Sequence, residues 1–111
     1  MDHHRGNYWQ PLADPMRNLP RVAYLRRVLL TIHRDGLAEI ESKVTASRPV
    51  ELRAVATYRQ MLRTIAAVAS AADAGDRKAF SDADVRMDFS ILKTRRAFQR
   101  AGAAHICRIA I

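Results

Sequence analysis

Between Pro49 and Gly75 the apolar residues return every three or four positions: Leu52, Val55, Tyr58, Leu62, Ile65, Ala69 and Ala72. That spacing puts them on one stripe of a helix, while Arg53, Arg59, Gln60 and Arg63 fall outside it. Both ends are marked. Ser47 is placed as an N-cap, Pro49 suits the first turn and Glu51 complements the positive end of the macrodipole. Gly75 suits a left-handed C-terminal cap. Ala66, Ala67, Ala69, Ala71 and Ala72 leave room for a neighbour to come close. Most of a helix's stability comes from packing its apolar face, so the rest of the chain must cover this stripe.

A first partner runs from Pro20 to about Val44. Leu25, Val28, Leu29, Ile32, Ile40 and Val44 recur at helical steps, with a gap at Asp35-Gly36 where a kink or break is expected. A second follows Asp76 and a short segment containing Phe80. Ser81 with Asp84 resembles a capping box, which predicts a helix from about Asp82 to Ala101, closed by Gly102. This last helix has two apolar groups. Val85, Phe89 and Leu92 share one face; Met87, Ile91 and Phe98 lie roughly opposite. One face packs on the other helices, and Met87, Ile91 and Phe98 are assigned to the side that needs a partner.

The expected fold is all-α: a small antiparallel three-helix bundle over residues 20–102, joined by short loops. Residues 1–19 read as an irregular arm carrying Gly6, Pro11, Pro15 and Asn18, whose Tyr8 and Trp9 either fold back to cover the second face of the last helix or serve as aromatic anchors for a partner. Residues 103–111 read as a short apolar tail. At 111 residues this is one domain, too short for a multidomain enzyme or a large cofactor-binding fold.

Nineteen Lys and Arg against eleven Asp and Glu give a net charge of +8. Lys43, Lys78 and Lys93 are the only lysines, so the surface is one of arginine forks, which suit phosphate and carboxylate. A GC-rich genome would raise Arg and Ala together with no functional meaning. After Asp88 there is no acidic residue, yet Lys93, Arg95, Arg96, Arg100 and Arg108 follow. A helix C-terminus favours cations in any case. The run also supports a second reading: nucleic-acid binding through Arg95, Arg96 and Arg100, with Arg26 and Arg27.

Catalytic constellations are poor. Cys107 is the single cysteine, so no intrachain disulfide forms. His3, His4, His33 and His105 lack an identifiable partner, and His33 reads as a surface or boundary residue. Asp2-His3-His4 lacks the further ligands a phosphoesterase centre requires, and the four glycines are isolated. A helix–turn–helix around Gly36 fails because polar Ser42 falls on a position that should be buried. Asp76, Asp82, Asp84 and Asp88 form an acidic cluster, with Asp84 and Asp88 on one helix face, but one helix supplies too few oxygens for a hard cation.

The stretch Ala74-Gly75-Asp76-Arg77-Lys78-Ala79-Phe80, continued by Ala83-Asp84 and Phe89, is similar to part of the all-helical effector domains of GntR-type transcription regulators. In that family an Asp and a His four residues later ligate a metal. Asp84 matches the first, and Asp88 stands where the His would be. The remaining ligands and the DNA-reading domain have no counterpart, so the resemblance implies local architecture only.

The expectation is a non-catalytic protein-interaction, adaptor or regulatory module, self-associating as a homodimer or part of a complex. It needs no cofactor and no metal. A ligand- or metal-sensing domain using Asp84 and Asp88 is a third reading. No secretory signal or membrane-spanning run is visible, which points to the cytoplasm.

Overall fold

The computed structural model describes residues 15–43 and 48–102. A single 3-10 turn, Pro15–Arg17, leads into three helices: α1, Leu19–Glu41; α2, Pro49–Asp73; and α3, Arg77–Arg100. They form an all-helical three-helix bundle, with no strand among the described residues. Tyr8, Trp9, Ser47, the histidines other than His33, and the 103–111 tail lie outside the described residues.

The middle helix is the hub. Both outer helices pack along α2 and approach each other only sparsely. Cross-helix pairs give the direction of α1 against α2. Arg27, in the first half of α1, pairs with Asp73 at the end of α2, whereas His33 and Glu41, further along α1, meet Tyr58 and Arg59 in the first half of α2. From α2, Ala54, Val55, Tyr58, Met61, Ile65, Val68 and Ala72 enter the core. The expected stripe is therefore largely present, except that Leu52 at its start is exposed.

The link between α2 and α3 is short because one residue serves two helices. Gly75 takes a φ of +69°, the left-handed conformation that a Cβ disfavours. Its N–H donates to the carbonyl of Ala72, and the Asp76 N–H donates to that of Ala71. This paired closure caps the exposed carbonyls at the end of α2. The Asp76 side chain then accepts a 3.0 Å hydrogen bond from the Ala79 N–H and caps α3. So α3 begins at Arg77 rather than near Asp82, and the Ser81/Asp84 pair lies inside it. Gly102, at φ +72°, closes the far end.

Three other expectations change. First, α1 runs unbroken through Gly36. Second, its buried stripe is Leu19, Val22, Ala23, Leu30, His33 and Ile40; Val28 and Ile32 point outward with Tyr24. The outward stripe leads into Arg21, Asp35 and Glu39, whereas the inward one contains only two polar groups, Arg26 and His33, and each finds a partner on another helix. Third, the faces of α3 are exchanged. Met87 is 4% and Phe98 1% exposed, and Ile91 packs partly buried against the same core. Extending their stripe along α3 meets Ala83, Ser90, Thr94 and Ala101. Those side chains are small, and the Thr94 hydroxyl donates 2.7 Å to the Ser90 carbonyl. Extending the Val85–Phe89–Leu92 stripe meets Arg96 and Gln99, whose burial would strand charge and amide.

Candidate interaction surface

The outward face of α3 is built from the stripe the core rejects. Phe89 is 71%, Val85 54% and Leu92 41% exposed. They stand at spacings of four and three, so their side chains form one line along the helix. Scattered exposed apolar residues are ordinary, but three in line are a patch.

Beside this line runs a row of cations seven residues apart: Arg86, Lys93 and Arg100. With Phe89, Arg96 and, from α2, Thr64, they line a shallow groove between α2 and α3. At its far end Arg53 of α2 joins Lys93 and Arg100 around Thr57 and Ala97. No carboxylate lines either stretch. Among the described residues none of these five cations is in an ion pair. The pairs lie elsewhere: Arg26–Asp84, Arg27–Asp73, Lys43–Glu39, Arg48–Glu51, Arg59–Glu41 and Lys78–Asp82.

The five arginines considered for nucleic acid are therefore not brought together. Arg96 and Arg100 line the groove, and Arg95 is exposed across the apolar line from it. Arg26 and Arg27 belong to α1 and are matched by Asp84 and Asp73. Arg53, Arg86 and Lys93 take their place. The seven-residue repeat of Arg86, Lys93 and Arg100 is present in the sequence and would have found three of the groove's cations. Arg53 sits 33 or more residues from them, and only the packing of α2 on α3 reveals it.

Inside the bundle, His33 is buried rather than at the surface. The Tyr58 hydroxyl donates to the His33 carbonyl at 2.9 Å and lies 3.0 Å from His33 Nδ1. A phenol has one proton, so Nδ1 carries the hydrogen and donates it to the Tyr58 oxygen. The Tyr58 ring meets both His33 and Phe98 edge-to-face, at centroid distances of 5.9 and 6.0 Å. One side chain of α2 thus ties α1 to α3. Burial pushes the Tyr58 phenol up to about 12.

The third feature is Arg26–Asp84, which joins α1 directly to α3 at 3.6 Å. The Arg26 Nε and the Asp84 Oδ1 are enclosed without a hydrogen-bond partner. Burial raises the Asp84 pKa above the usual carboxylate value; the Arg26 charge opposes this, and Asp88 adds to it. Among the described residues no three His, Cys, Asp or Glu lie together as a metal site would require. No helix among them is long and apolar enough to cross a membrane. Compared with protein-family models, with curated proteins and with solved structures, the chain matches none of them.

Proposed function

We propose that this chain is a non-catalytic interaction module that docks a protein partner along the outward face of α3. One observation carries the reading: α3 spends one apolar face on the core and presents a second, Val85–Phe89–Leu92, directly away from it. Exposed aromatic and aliphatic anchors of this kind are what interfaces bury. Among the described residues the close pairing of a histidine with a tyrosine, His33–Tyr58, is sealed in the core, where no substrate reaches it.

The test compares wild type with Phe89→Asp as baits in an extract of the source cells. Phe89 contributes little to the core, so the variant should melt like wild type. It should lose the proteins that wild type retains. Retention of the same proteins by both baits would overturn the reading. The cation row beside the patch favours a second reading, nucleic-acid binding, in which retention is abolished by nuclease and falls steeply with salt.

A further inference from the structure

We propose that the partner is an acidic amphipathic helix, laid along α3 with its apolar seam on Val85, Phe89 and Leu92 and its carboxylates on Arg86, Lys93 and Arg100. This rests on the interaction-module reading above and names the chemistry of the partner.

The spacing sets the kind of occupant. Val85, Phe89 and Leu92 follow one another at steps of four and three, the spacing with which one helix meets another, and Arg96 and Gln99 continue the same line as its polar end. The apolar part spans about 10 Å, one heptad at about 1.5 Å per residue. Arg86, Lys93 and Arg100 occupy one flank at the same position of successive heptads, where side chains select the partner by charge. Three cations in one row, with no carboxylate in the groove beside them, call for a row of Glu or Asp at the matching spacing.

Other occupants fit less well. In an antiparallel pair of copies, the row Arg86–Lys93–Arg100 would face itself. In a parallel pair it would face the other flank, Asp88 and Arg95, which offers one attraction and one repulsion. The chain's own ends have the wrong charge pattern. Residues 103–111 contain no Asp or Glu, and in residues 1–14 the two acids, Asp2 and Asp14, stand at opposite ends. Single-stranded nucleic acid binds successive aromatic platforms. Here Phe89 is the one exposed aromatic of α3, and Val85 and Leu92 offer nothing to a sugar–phosphate chain.

The experiment titrates the full chain with two synthetic helical peptides of about 20 residues. Both carry the same leucine seam; one has Glu flanks and the other Lys flanks. An oligothymidylate of about 15 nucleotides is the third probe. The acidic peptide should bind with amide shifts centred on Phe89, Leu92 and Lys93, and the basic one about tenfold more weakly. Arg86→Glu/Lys93→Glu/Arg100→Glu should invert that preference while the melting temperature holds. Lys93→Glu alone serves if the triple variant folds poorly, and it should narrow the gap.

Equal binding of the two peptides, lost together in Phe89→Asp, would leave apolar docking standing and overturn the acidic partner. Binding of the oligonucleotide in preference to both peptides would overturn it in favour of nucleic acid. Peptide binding that ignores Phe89→Asp, or no binding by any probe, would overturn both the partner and the docking face.

Discussion

The hydroxyl of Tyr58 gives its proton to a carbonyl of α1 and accepts one from an imidazole of the same helix. Replacing it by hydrogen removes both of these hydrogen bonds from the core. Tyr58→Phe should therefore lower unfolding free energy by about 1–3 kcal/mol in urea melts. The alkaline limb of stability depends on the same group. Its folded pKa of about 12 exceeds the ordinary value of 10.0, so the fold holds this proton more tightly than the unfolded chain does. The contribution is complete below pH 10 and is lost as pH rises towards 12, by up to about 2–3 kcal/mol. In Tyr58→Phe that limb should flatten, and an unchanged slope would show that another group governs it. Tyr58 was legible as a stripe residue of α2. His33 was not: a histidine beside an arginine reads as exposed until a phenol 25 positions away is seen to satisfy it.

At the scale of the element, α3 shows where periodicity informs and where it stops. The sequence marks two apolar faces but not which one turns inward. The decision lies in what each face carries further along: Thr94 and Ala101 on one, Arg96 and Gln99 on the other. Stability measurements separate the faces. Met87→Ala should cost about 2–5 kcal/mol, as expected for a buried methionine. Phe89→Ser, at an exposed position, should stay within about 0.5 kcal/mol of wild type. Comparable losses from both would mean that Phe89 is covered in solution. In α1 the same ambiguity misplaces Val28 and Ile32, which are exposed, while Leu29 and Ile40 of the expected row do pack on the core; a row containing Arg26 and His33 looks less core-like in sequence than it is.

Across the whole molecule, charge is sorted by helix seam. Carboxylates match cations on α1 and at the start of α3, while the α2–α3 groove keeps its cations unmatched. The number of positive charges was plain from composition; their alignment depended on the packing of α2 against α3. The Arg26–Asp84 contact bridges the two outer helices, but burial disfavours the Asp84 charge by more than Arg26 supports it. With its pKa raised, Asp84 favours folding most when protonated, below about pH 3.8, and that advantage is lost as pH rises through its folded pKa. Asp84→Asn, uncharged at every pH, should match wild type in acid and equal or exceed it at pH 7 by no more than about 1 kcal/mol. A clear loss at neutral pH would show that attraction to Arg26 outweighs burial. The shared residue at the α2–α3 junction has a consequence for the length of that corner. Because Asp76 finishes one helix and starts the next, the length of this corner agrees with the rotational phase that the core face of α3 requires, each residue corresponding to about 100° of turn. Two extra residues after Gly75 would put the corner about 200° out of step with Met87 and Phe98, so the added backbone would bulge into solvent and one of the two helix ends would lose its cap, at about 1 kcal/mol.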